Sequence, residues 1–118
     1  MAGLVANVHI GDGNWVSGSV LVNPADQTIL ADTGPLLPGN YIFAVTGGGN
    51  IAWVYDFQHR DSTNTITINT QRRFPAAGDD DVVVANKQPF QANERFRIIL
   101  QGAIVGTVQM SIFYAQVT

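Results

Sequence analysis

Apolar and polar residues alternate with a period of two in segment after segment of this chain, and no window sustains the 3.6-residue period of an amphipathic helix. That restricts the fold to antiparallel β-structure with one buried and one wet face per sheet. Leu4, Ala6, Val8 and Ile10 alternate with Val5, Asn7 and His9 up to a turn at residues 11–14, and residues 15–22 continue as a strand ending before Pro24. A short strand fits 28–31. Tyr41, Phe43 and Val45 share a face in 41–46, closed by the glycines of 47–49. Ile51, Trp53, Tyr55 and Phe57 share the next, and Ile66 and Ile68 oppose Thr65, Thr67 and Asn69. Residues 72–93 read as irregular apart from a short strand around 82–85.

The C-terminal quarter carries no charge after Arg97. A membrane helix needs roughly 20 mainly apolar residues in a row, and Gln101, Gly102, Gly106, Thr107, Gln109 and Ser111 interrupt this stretch. Two half-buried strands fit instead: Phe96, Ile98 and Leu100 face inward on one, Val108, Met110, Ile112 and Tyr114 on the other. About eight short antiparallel strands in 118 residues define a single β-sandwich domain, with residues 1–5 as an N-terminal arm.

Three segments, LLPGNYIFAV (36–45), FQANERFRIILQG (90–102) and GTVQMSIFYAQV (106–117), together resemble strands of the compact jelly rolls of the complement-globular-domain and tumour-necrosis-factor type. Small free-standing versions of that architecture serve as decoration, or cement, proteins on the heads of tailed bacteriophages, and this chain is similar to them in being short, cysteine-free and lysine-poor. The resemblance implies a homotrimer bound to a major capsid protein at the virion surface, made in the host cytoplasm, with no cofactor. A small lectin-like or receptor-binding module is the alternative.

Charge and chemistry agree with a structural role. Charged residues are 13% of the chain, about half of the roughly 25% usual for soluble domains, which favours close contact with other protein. A net charge of −3 with a single adjacent basic pair, Arg72 and Arg73, leaves no footprint for nucleic acid. The N-terminus lacks the pattern of a signal peptide, and no membrane partner is expected. His9 and His59 read as solvated rather than catalytic, Glu94 as half of a surface ion pair, and no nucleophile or carboxylate pair points to an enzyme. Asp79, Asp80 and Asp81, with Asp12, supply oxygens that Ca²⁺ accepts, but without an EF-hand spacing they read as a solvated loop. In an oligomer they could face Arg72 and Arg73 of another subunit. Trp53 reads as core and Trp15 also, rather than as a sugar platform.

Apolar residues at turns are the remaining signal. Leu36 and Leu37 lie between prolines, and Ile104 and Val105 between glycines. Burial against a partner and folding back to plug the sandwich explain them equally. Ile99 and Phe113 also lack a core position. The expected partner contacts are therefore Ala2, Gly3, Leu4, Val5, Leu36, Leu37, Ile99, Ile104, Val105 and Phe113.

Overall fold

The structure, a computed structural model, describes residues 13–74 and 81–117, with backbone only at 74 and 81–86. The strand expected within 4–10 falls outside it. Nine strands are present among the described residues: β1 (Asn14–Ser17), β2 (Leu21–Val22), β3 (Ile29–Asp32), β4 (Gly39–Gly49), β5 (Trp53–Arg60), β6 (Ile66–Phe74), β7 (Asp81–Phe90), β8 (Arg95–Gln101) and β9 (Thr107–Val117). They form two sheets. Sheet A runs β1-β9-β4-β7 with β2 also on β9, and sheet B runs β3-β8-β5-β6. Every pairing is antiparallel, and the chain passes between the sheets as a jelly roll does.

The core follows from the alternation. Tyr41, Phe43 and Val45 of β4 and Val108, Met110 and Ile112 of β9 point inward from sheet A, and Trp53, Tyr55 and Phe57 of β5 with Phe96, Ile98 and Leu100 of β8 meet them from sheet B. The rings of Phe43 and Phe96 stack across the two sheets at 4.2 Å and 15°. Phe43 also touches Phe90 on β7, at 5.3 Å between centroids, so one side chain ties β4, β7 and β8 together. Burying such a ring contributes about 1.5–3 kcal/mol.

Several expectations change. The glycine tract does not close β4; it continues it to Gly49. At Gly47 a Cβ would collide with the Gln109 carbonyl oxygen and the Met110 sulfur of β9, so the missing side chain lets the strands lie close. Residues 15–22 are not one strand: at Gly18 the chain presses against the Leu30 carbonyl, and pairing resumes only at Leu21. Most of the supposedly irregular 72–93 is strand, because β6 reaches Phe74 and β7 spans Asp81–Phe90. Ile66 and Ile68 are not buried but 44% and 52% exposed. Among the described residues β6 is the edge strand of sheet B and pairs with β5 alone.

Candidate interaction surfaces

Cross-strand neighbours in register share a face of a sheet, and this places the outer side chains. On sheet A, Phe113 of β9 lies between Trp15 of β1 and Ala44 of β4, and Ala115 lies opposite Ile42. The outer face of this sheet is thus apolar over the part that carries Trp15, Phe113, Ala44, Ala115 and Ile42, while Ser17, Ser111, Thr46 and Gln109 make its other half polar. Trp15 packs on Phe113 with ring centroids 5.2 Å apart and is 60% exposed. The core position expected for Trp15 is therefore corrected: it sits on the outward phase of β1, whereas Trp53 is buried as expected.

The apolar loop tips separate into two ends of the sandwich. Leu37 is exposed, whereas its neighbour Leu36 turns into the core. Leu36 N–H donates to the Glu94 carbonyl and its own carbonyl accepts from Asn93 N–H, which turns the side chain inward. Pro35, Leu36, Leu37, Tyr41, Tyr114 and Gln116 line an open depression of about 250 Å³ that also includes Asn14, where the chain enters β1. At the other end Val105 is 82% exposed beside Val22, and Ile104 folds back against the core. The two tips flank opposite ends of β9, an 11-residue strand that at about 3.3 Å per residue holds them roughly 35 Å apart. They cannot form one patch. Ile99, expected at a contact, is buried within its own chain on the outer side of sheet B. Of the expected contacts, Leu37, Val105 and the half-buried Phe113 are the ones that present apolar surface; Ala2, Gly3, Leu4 and Val5 fall outside the described residues.

Sheet B carries the opposite chemistry on its outer face. Asp32 of β3 accepts from Arg97 Nε at 2.6 Å and lies 3.5 Å from Arg95 Nη1. Arg60 donates from Nε and Nη2 to Gln58 Oε1, at 2.9 and 2.6 Å. Asp56 accepts from the Gln101 amide, and Asp56 and Gln58 are both buried. Sequence reasoning missed this cluster. Arg95 and Arg97 visibly alternate with Phe96 and Ile98, but Arg60 joins them only through the register of β5 on β8.

His59 is not solvated. It is buried, its ring lies flat on Phe90 at 3.8 Å and 7°, and its Nε2 meets Glu94 Oε1 at 2.9 Å. Glu94 pairs with this histidine rather than with a surface arginine. Its carboxyl is held below the usual glutamate range, first by the Gln91 N–H and then by His59. No hydroxyl or thiol is bonded to the side chains of the pair among the described residues, the Thr67 hydroxyl donating instead to the His59 backbone carbonyl, and these residues contain no group of three His, Asp or Glu able to hold a metal. Asp79 and Asp80 fall outside the described residues; Asp81 opens β7 opposite Gly47, and Arg72 and Arg73 are exposed near the end of β6. No helix among the described residues is long and apolar enough to cross a membrane.

No protein-family model matches the chain, and no curated protein does. Among solved structures, the globular domain of the zebrafish complement 1qA protein superposes with a TM-score of 0.54 at 9% identity, covering 85% of this chain and 93% of that one. An arabinose-bound α-L-arabinofuranosidase superposes with a TM-score of 0.50 at 8% identity, covering 98% of this chain and 24% of the enzyme. At such identities the likeness is one of fold. The chain is an all-β jelly-roll sandwich like that of the complement 1q globular domain.

Proposed function

We propose that this protein is a capsid decoration, or cement, protein: a homotrimer, made in a bacterial host's cytoplasm, that binds the major capsid protein of a tailed bacteriophage and reinforces the shell without catalysis. The observation that carries this reading is the apolar part of the outer face of sheet A, where an exposed Trp15 packs on a half-buried Phe113 in a chain with few charges. Such a face favours burial against another protein, and closed cyclic symmetry buries it on every subunit at once. In this reading Phe113 and Trp15 pack between subunits. The capsid contact is the end of the sandwich where Leu37 lies beside Asn14, with Ala2 to Val5 as an arm reaching the shell. Three copies binding together multiply a modest contact per subunit.

Two measurements test it. Light scattering should give three times the 12.7 kDa chain mass. Shells lacking the protein should bind the parent but bind Leu37→Ser, or a chain without residues 2–5, at least tenfold more weakly. Unchanged binding by both folded variants overturns the proposed capsid contact. The lectin-like alternative draws on one observation, the exposed indole of Trp15, because aromatic faces stack on sugars. A glycan array discriminates: a lectin binds as free protein, whereas a cement protein binds assembled shells alone.

A further inference from the structure

The chain has six basic residues, and four of them lie on the outer face of sheet B: Arg60, Arg95 and Arg97 cluster at one end of β5 and β8, and Arg73 stands apart on β6 opposite Val54. Arg60 lies directly opposite Arg95, so their Cβ atoms are about 5 Å apart. Arg97 follows two residues along β8, about 7 Å further. One carboxylate, Asp32, reaches two of the three: it takes Arg97 Nε at 2.6 Å and Arg95 Nη1 at 3.5 Å. The groups that hold Arg60 are neutral, namely Gln58 Oε1 and, at 3.0 Å from Nη1, the Asn64 carbonyl. They fix its guanidinium without cancelling its charge. Among the described residues, Arg95 Nε is buried with no acceptor, and Arg97 commits only Nε to a hydrogen bond.

Charge in such a place is costly. The Arg97 side chain is 11% exposed and that of Arg95 26%, and they share the single carboxylate of Asp32 while Arg60 beside them is held by neutral groups, so positive charge exceeds counter-charge in a partly desolvated place. Consistent with crowding, the Arg60 guanidinium is held below its usual value, first by burial and next by the charge of Arg97, with Arg95 adding to it and Asp32 opposing. Three arginines whose backbone positions form a triangle on the sheet also differ from one arginine fork. A single fork matches a planar carboxylate. A tetrahedral group presents oxygens in several directions and can accept from more than one guanidinium.

We infer that Arg60, Arg95 and Arg97 form a binding site for a tetrahedral oxyanion, a phosphate or sulfate group, either free or carried on a sugar. Gln58 and Asn64 act as positioning residues for Arg60, and Asp32 is the intramolecular competitor that the ligand must share or displace. The proposal is independent of the capsid reading, since it concerns the other sheet.

Calorimetric titration at low ionic strength tests it with three probes: inorganic phosphate, a sulfated disaccharide and hexaglutamate. Saturable binding of either of the first two supports the site. Tighter binding of the disaccharide marks a sugar-borne group as the source, and equal binding marks the free ion. Arg95→Gln should weaken binding roughly tenfold to a hundredfold, the range for losing a charged hydrogen-bond partner. Arg73→Gln removes the same charge from the same strand-rich face but outside the triangle, and should change affinity less than about twofold. Asp32→Asn should tighten binding, whereas a merely structural role for Asp32 would weaken it. Circular dichroism confirms that each variant is folded. Absence of saturable binding to phosphate and to the disaccharide overturns the proposal. So do equal losses in Arg95→Gln and Arg73→Gln, weaker binding by folded Asp32→Asn, or hexaglutamate binding more tightly than both.

Discussion

The outer faces of the two sheets are built on the same backbone geometry and carry opposite chemistry. On sheet B the central strands carry Asp56, Gln58, Arg60 and Arg97, and these find partners largely within the chain: Asp32 with Arg97, Gln58 with Arg60, Asp56 with Gln101. On sheet A the same positions carry Ile42, Ala44, Phe113 and Ala115, flanked by an exposed Trp15. A sandwich that served only to stay folded would be polar on both outer faces. In the reading proposed above, the difference assigns protein contact to the apolar part of sheet A and leaves the charged outer face of sheet B to solvent and small anions. It also separates two kinds of mutational effect: changes on sheet A should act on assembly, and changes on sheet B on the stability of the single chain.

The largest expected effect breaks the sheet A side. Phe113→Asp puts a charge at the centre of the apolar face, where desolvating it in an interface costs several kcal/mol. The association constant of the proposed trimer should fall at least a hundredfold while the circular dichroism spectrum stays β, since Phe113 faces away from the core. Sedimentation velocity reads the outcome. A variant that is still trimeric would move the interface elsewhere.

Next comes sheet B. Asp32→Ala removes the carboxylate from Arg97, whose side chain is 11% exposed, and leaves a largely buried cation unpaired. Urea unfolding should show a loss of about 2–3 kcal/mol with no change in oligomeric mass. If instead the mass changes and the stability does not, the assignment of the two faces is reversed.

What could be read from the sequence divides along the same line. The all-β class and the inward residues of β4, β5, β8 and β9 follow from alternation, which is local; the jelly-roll likeness rests on three segments that resemble a known family, and most of β7 goes unread. The partners of outward residues do not, because they depend on register. Arg60 and Arg95 are 35 positions apart yet opposite each other, and His59 looks like a strand-end histidine until β8 and the 91–94 turn bring Glu94 to it. Trp15 reads as core in the sequence but faces outward, because the break at Gly18 gives β1 its own short register on β9. Leu36 and Leu37 look alike between two prolines, and only the hydrogen bonds of Leu36 to Asn93 and Glu94 separate them.

Glu94 ties both faces to the core, since it joins the 91–94 turn to His59 under Phe90. Its carboxyl is lowered from the ordinary 4.5 in the folded chain. A depressed carboxyl contributes stability that is fully present above the unfolded value and is lost as pH falls through the folded one. Thermal stability should therefore fall as pH drops below about 4.5. Glu94→Gln should start lower and flatten that part of the acid limb, with the remaining slope due to other carboxyls such as Asp26 and Asp61, which are lowered as well. A parallel acid limb in the variant would mean that the Gln91 and His59 contacts carry none of it.

The smallest expected effect sharpens the comparison by testing a strand that belongs to neither face. From Ser62 to Arg73 every residue of the β5–β6 turn and of β6 is exposed, and Ile66 and Ile68 have the alternation of a core strand without a core. Two explanations compete. If β6 only covers the edge of β5, Ile68→Thr trades one β-branched residue for another on an exposed strand and should change stability by less than about 0.5 kcal/mol, with the trimer mass and its dissociation constant unaltered. If the isoleucines are instead spent on another subunit, stability of the isolated chain is again unchanged but the trimer loosens several-fold, because a half-buried aliphatic group in an interface loses its apolar area to a hydroxyl. The pair of measurements, urea unfolding of the dissociated Phe113→Asp chain with and without Ile68→Thr and sedimentation of Ile68→Thr alone, separates them. The first outcome keeps assembly on the outer face of sheet A. The second extends it to the rim of sheet B and makes each subunit contribute two different surfaces to a head-to-tail ring.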